Sequence, residues 1–292
     1  MKISLTTLVM MMGLFSFLQK GKGEETPKLE KRESLLAFVL LPKESFPRKD
    51  GLLESFKKFS GPGETLKITS DSEKKEEKAE DDVKVMVANI EGIGSAFIML
   101  ISKPVPNNEA EEAFEYSLSS FQDGASLDKH EAHLVVSLMD INKEKASTEA
   151  MMAFTSLLAA VGECSSSSGI YWGDTGATHK SDFFLSVAAE YSISDRLLLW
   201  TGISRASEEG DRISLVSLGM NQLALPNLYL ICSRKESQDA FEKFFSLLEY
   251  TIDRGSAIPE GDTIGSDENE KIPVRYVKCP AGGKELVWQV EF

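Results

Sequence analysis

The chain has 292 residues, 42% of them hydrophobic, which is enough to bury a core and excludes global disorder. Its 46 acidic residues outnumber 32 Lys and Arg, giving a formal charge of −14. A balance of that sign argues against nucleic acid or anionic lipid as the main partner, since both need a positive field to displace counterions.

Behind Met1 and Lys2, Ile3 to Leu18 is largely apolar, the size of a signal-peptide hydrophobic region and short of the roughly 20 residues that span a bilayer. Gln19-Lys-Gly-Lys-Gly23 then places lysines where a cleavage region is normally neutral. A start at Met12 is a second reading, leaving an apolar tip on a basic tether. The expected location is cytoplasmic, with export by a signal peptide as the alternative, and no integral membrane span is expected. Residues 1–23 are set apart as a leader.

In chain order, the unbroken run Leu35 to Leu41 reads as a central strand buried on both faces. Leu52, Leu53, Phe56 and Phe59 recur at helical spacing before Gly61-Pro62-Gly63. Asp71 to Asp82 carries seven acids and three lysines and reads as a solvated loop. Val83–Ile90 and Ala96–Ile101 form a hairpin over Glu91–Gly94. Asn108 caps an expected helix with Ala110, Ala113, Phe114, Ser117, Leu118 and Phe121 on one face, and Ala132–Leu138 returns as a strand. The order β-α-β-β-α-β is that of a ferredoxin-like sandwich.

A long helix follows from about Lys145 to Val161. Gly169–Trp172 is a short strand, and Ser181 caps a helix carrying Phe184, Val187, Ala188 and Tyr191. Arg196–Ser204 and Arg212–Leu218 read as a hairpin, and Leu228–Cys232 as an apolar strand. Ala240, Phe241, Phe244, Leu247, Leu248 and Ile252 mark a helix stopped by Gly255. Ala257–Lys271 is a second acidic loop, and Val274–Val277 with Leu286–Val290 closes the chain as a hairpin. The expected fold is α+β: two ferredoxin-like (βαββαβ) halves packed side by side, with mixed, mainly antiparallel sheets, divided as 24–140 and 141–292.

His133-Leu-Val-Val-Ser137, Ile170-Tyr-Trp-Gly173 and Ser217-Leu-Gly-Met-Asn-Gln-Leu-Ala-Leu-Pro226, in that order and spacing, are pieces by which the chain resembles the bacterial family catalogued as domain of unknown function 4261. The likeness runs from about Leu35 to Phe292. The resemblance implies a stand-alone protein and no particular activity or catalytic residue.

All three histidines, His130, His133 and His179, fall in the central third near Asp140, Trp172 and Asp174. His130-Glu-Ala-His133 is one residue short of the zincin pattern and precedes a strand, where positions three apart point to opposite sides, so no metal site is expected. Tyr171-Trp-Gly-Asp-Thr-Gly-Ala-Thr-His179 sits at a strand end before a helix N-terminus, where α/β architectures place ligands. Tyr171, Trp172 and Asp174 are therefore the ligand-binding candidates. There is no G-x-S-x-G elbow and no phosphate-loop signature. The odd, widely spaced Cys164, Cys232 and Cys279 describe neither a disulfide framework nor a zinc site.

The expected function is a non-catalytic binding or interaction protein, of immunity or accessory type, with a protein partner and no cofactor. The alternative is a hydrolase or phosphate-ester-acting enzyme using His133, His179 and Asp174 at the strand ends. That alternative requires the two histidines to meet over one substrate.

Overall fold

The structure is a computed structural model describing residues 26–71, 84–122, 124–145, 147–265, 271–282 and 285–291. The leader (1–23) and nearly all of the acidic loop after Asp71 lie outside the described residues. Contacts divide the described residues into two units, one within 30–203 and 218–224, the other within 26–29, 204–217 and 225–291. The division expected near residue 140 falls inside the first of these.

The larger unit runs β1 (Leu35–Leu41), α1 (Lys49–Phe59), β2 (Leu66–Asp71), β3 (Val85–Ile90), β4 (Gly94–Ile101), α2 (Glu109–Glu112), β5 (Ala132–Met139), α3 (Ser147–Ser165), β6 (Gly169–Trp172), β7 (Ala177–Lys180), α4 (Ser181–Ala188) and α5 (Ile193–Trp200). Its strands form one seven-stranded sheet in the order β2-β3-β4-β5-β1-β6-β7. The apolar run of β1 lies in the sheet interior between β5 and β6, as its composition demands.

Mixed α and β with mainly antiparallel pairing is found, but the ferredoxin-like arrangement expected for this half is not. Every neighbouring pair of the sheet is antiparallel, as in a ferredoxin-like sheet, but the strand order differs: that arrangement inserts the first strand between the last two, whereas here β4 pairs directly with β5 and β1 lies on the far side of β5. The reason lies between β4 and β5. Instead of one long helix, α2 has a single turn, followed by 3-10 turns at Ala113–Tyr116 and Leu118–Phe121. Asn108 does not cap it, since its φ of 55° is left-handed and its side chain makes no capping bond. Ser117 is extended, and its hydroxyl accepts from the Ser119 N–H, a local bond that competes with helix continuation.

The register sorts the side chains onto two faces. Val39, Leu134, Ile170 and His179 stand opposite one another across four strands, and so share a face with Trp172. Leu40, His133 and Gly169, one residue along, point the other way with Phe38 and Tyr171. The first face packs on α3, where Phe154 meets the Trp172 ring edge-on at 5.3 Å. The second is covered by Val105, Ala110, Ala113 and Leu127 around Leu40 and Tyr171. Apolar almost all round, α3 is buried almost all round: Met151 and Met152 belong to the core rather than to a docking surface.

Two further expectations change. Arg196 to Trp200 belongs to helix α5, not to a strand; Ser192 accepts from the Asp195 N–H, and Leu197-Leu-Leu199 favours a helix once that cap starts it. Ser181 is the first residue of α4 rather than its cap, and its hydroxyl meets that of Ser167 at 2.7 Å.

The smaller unit holds most of β8 (Gly202–Glu208) and β9 (Arg212–Leu218), then β10 (Leu228–Ser233), α6 (Ser237–Arg254), the short pair β11 (Thr263–Ile264) and β12 (Ile272–Pro273), β13 (Arg275–Lys278) and β14 (Leu286–Glu291). The sheet order is β13-β14-β10-β9-β8, with β10 and β14 parallel and the expected terminal hairpin β13–β14 antiparallel. α6 ends at Gly255, whose φ of 68° lets its N–H reach the Thr251 and Ile252 carbonyls. The second acidic loop is not simply solvated, since Ile258, Asp262 and Ile264 are buried. Among the described residues no helix is long and apolar enough to cross a membrane.

Candidate functional site

His133 and His179 lie on opposite faces of the seven-stranded sheet and cannot approach one substrate from a common side. On β5, His133 is buried, with Nδ1 2.8 Å from the Lys103 carbonyl and Phe38 edge-on at 5.5 Å. A carbonyl only accepts, so Nδ1 carries the proton. Burial holds this imidazole below its ordinary range, against the Lys103 bond.

On β7, His179 has no solvent exposure, and both ring nitrogens are engaged. Nε2 lies 3.1 Å from the Leu199 carbonyl and so donates, while Nδ1 accepts from the Ser117 hydroxyl at 2.8 Å. Hydroxyl, imidazole and orienting acceptor are ordered as in nucleophilic catalysis, yet Ser117 is as deeply buried as His179 and no cleft reaches either. Burial without a compensating charge pushes this imidazole down to about 4. Trp172, equally buried, donates from Nε1 to Gln222 Oε1 at 2.8 Å. It is a core residue.

Asp174 lies in the turn between β6 and β7, partly exposed, with Oδ1 3.4 Å from Arg32 Nη2. Tyr171 faces away from Trp172 and lines a concavity of about 440 Å³ together with Glu109, Glu112, Ala113, Glu115, Tyr116 and Gly176. Its ring stacks on Phe38 at 5.7 Å and its hydroxyl donates to Glu109 Oε1 at 3.2 Å. Burial, reinforced by the Glu109 charge, pushes the phenol up to about 12, so it is a hydrogen-bond donor and not a base. The neighbouring Tyr116 phenol is also raised, first by its hydrogen bond with Glu115. Of the residues singled out from the sequence, only Tyr171 borders this concavity; His133, Trp172 and His179 are locked in the interior.

Two further buried polar centres lie in the larger unit. His130 accepts the Val105 N–H at Nε2 (2.8 Å), and its Nδ1 lies 3.1 Å from Glu111 Oε1, off the line of a good hydrogen bond. Arg196, fully buried, spends all five N–H donors: on the carbonyls of Glu190, Met152, Phe59 and Ala188 and on the Ser156 hydroxyl. Phe59 and Ala188 are the last residues of α1 and α4, so one guanidinium satisfies carbonyls at two helix ends. The Tyr191 ring lies 4.6 Å from its Cζ. An arginine at helical spacing among leucines carries no signal of this role. Among the described residues, no group of three or more His, Cys, Asp or Glu is placed to hold a metal ion.

The fold defines an α+β protein of mainly antiparallel sheets, with an acid-rimmed concavity on its larger unit. The chain is recognised by the family model described as Domain of unknown function (DUF4261), matched over residues 216–291. The match contains the Ser217–Pro226 segment of the resemblance, while the His133 and Ile170–Gly173 segments precede it. No curated protein and no solved structure matches the chain.

Proposed function

We propose that this chain is a non-catalytic binding protein that receives a cationic side chain of a protein partner in the concavity beside Tyr171. The observation that carries this reading is the concavity's lining: two tyrosines and the carboxyl groups of Glu109, Glu112 and Glu115 around a space of about 440 Å³. Aromatic faces and carboxylates both favour a cation, each rim contact contributing about 0.5–1 kcal/mol. The net charge of −14 favours the same class of partner by steering. The hydrolase reading gains nothing from the geometry, because its two histidines face opposite ways.

Isothermal titration with a synthetic lysine-rich peptide, beside the same peptide with every lysine acetylated, tests the reading. Binding of the first alone, weakened about tenfold or more by combining E109Q, E112Q and E115Q and by raised salt, is expected. Equal binding of both peptides, or of neither, would refute it.

A further inference from the structure

We infer that His179 is a positioning residue for the Tyr171 concavity, holding the concavity's wall in place only while its imidazole is uncharged, so that acid opens the wall. This regulation rests on the binding reading above. Three consecutive residues of β7 pin one segment: Thr178 Oγ1 donates to the Ala110 carbonyl (2.6 Å), His179 Nδ1 accepts from Ser117 Oγ (2.8 Å), and the Lys180 N–H donates to Ser119 Oγ (3.3 Å). Because β7 is the last strand of its sheet, the turns around Ser117 close an otherwise open edge. Ala113, Glu115 and Tyr116, which line the concavity, immediately precede Ser117. Helical pieces of four residues have little stability of their own, so the wall stands where its pins hold it.

The pins are directional. With a neutral ring, the Ser117 hydrogen goes to Nδ1, and Ser117 Oγ accepts from the Ser119 N–H at 3.1 Å and the Ser119 hydroxyl at 2.7 Å. A proton on Nδ1 reverses this chain: Ser117 Oγ must accept from the ring and give its own hydrogen to Ser119, whose hydroxyl hydrogen then loses its place. The new charge also meets nothing that answers it. Around the ring stand the Leu199 carbonyl, Phe183 at 5.9 Å, Phe184 at 6.2 Å and Ile170 across the strand pair. Lys180 alternates to the other face, and Asp182, the acid of the first turn of α4, is exposed and bonded to the Phe183 N–H. An uncompensated buried charge favours any state in which the ring is hydrated. Lifting the segment from Ala113 to Phe121 hydrates it while leaving the strand pairing of the sheet intact.

Amide hydrogen exchange on the full chain, corrected for intrinsic rates, reads this directly. An ordinary imidazole titrating at 6.5 against the buried one at about 4 makes opening about 30-fold more frequent at pH 5 than at pH 7.5. Protection of residues 113–122 should fall by that factor in the wild type while peptides from β1 and β5 hold, and His179→Gln, which cannot protonate, should abolish the difference. Constant protection, an equal fall in His179→Gln, or loss together with β5 overturns the inference. Should His179→Gln fail to fold, Ser117→Ala serves: about tenfold faster exchange at pH 7.5 with the pH dependence retained is expected, and loss of that dependence overturns it.

The lysine-rich peptide separates the two readings. If it fails to bind at either pH while the exchange result holds, the binding reading fails and the His179 clasp stands. If it binds equally at both pH values although the segment has opened, the coupling of clasp to concavity is overturned.

Discussion

Replacing Arg196 with methionine removes five hydrogen bonds and keeps most of the side-chain volume. The carbonyls do not suffer equally. Phe59 O still accepts from the Ser156 hydroxyl at 2.9 Å, and Met152 O lies within α3, where the helix ladder serves it. Ala188 O and Glu190 O have no second hydrogen bond among the described residues, so both are orphaned, at about 1–3 kcal/mol each. Against this stands the relief of a buried charge, for burial already holds the guanidinium below its ordinary range, with only Glu64 and Tyr191 acting to raise it. The balance is a loss of about 3 kcal/mol, or roughly 6–12 °C in Tm for a protein of this size. Urea unfolding of the wild type and R196M, with the slope unchanged, measures it. R196K should fall between the two, because three ammonium donors cannot reproduce the guanidinium fork. A stability of R196M within about 1 kcal/mol of wild type would refute the reasoning and mean that desolvation of the charge cancels all five bonds.

Folded stability should depend on pH through His179 and His133, whose imidazoles are both held below their ordinary range, chiefly by burial. The unfolded chain then binds more protons than the folded one, so the contribution is complete above pH 6.5 and is lost as pH falls toward about 4, by roughly 3 kcal/mol for His179; urea midpoints across that range measure it, and a flat profile refutes it. Gly219→Ala should cost roughly 2–4 kcal/mol, because φ is 101° and a Cβ there would sit 2.8 Å from the Trp200 carbonyl; a thermal midpoint equal to that of the wild type would show that the turn relaxes freely. Cys232 has no solvent exposure and a thiol raised by burial, so a disulfide reagent should modify it only on unfolding, while Cys164 and Cys279 react sooner; counting modified thiols by mass decides it.

Much of the element inventory was legible because it rests on local periodicity. The runs of β1, β5 and β10, the hairpin β3–β4, and the helices α1, α3 and α6 all announce themselves within short windows. What escaped depended on competition. Ser117 and the left-handed Asn107 and Asn108 broke a helix whose apolar spacing was sound. The Ser192 cap turned an expected strand into α5. β2 and β7 are short outer strands of modest apolar content, with too few residues for an alternating pattern to stand out.

The candidate site divided in the same way. Tyr171, Trp172 and Asp174 stand out in the sequence as a strand end, and the strand is present; alternation sends Tyr171 to the concavity and Trp172 to the core. Which way each faces depends on the register with β1, and the sequence of β6 contains no statement of its partner. By itself, the sequence determined an acidic α+β chain with identifiable strands, helices and turns, since those follow from composition and from periods of 2 and 3.6 residues. Only the tertiary structure decided that β1 pairs with β5 and β6, that His133 and His179 stand on opposite faces, and that Arg196 joins two helix ends, because each of these depends on residues far apart in sequence meeting in space.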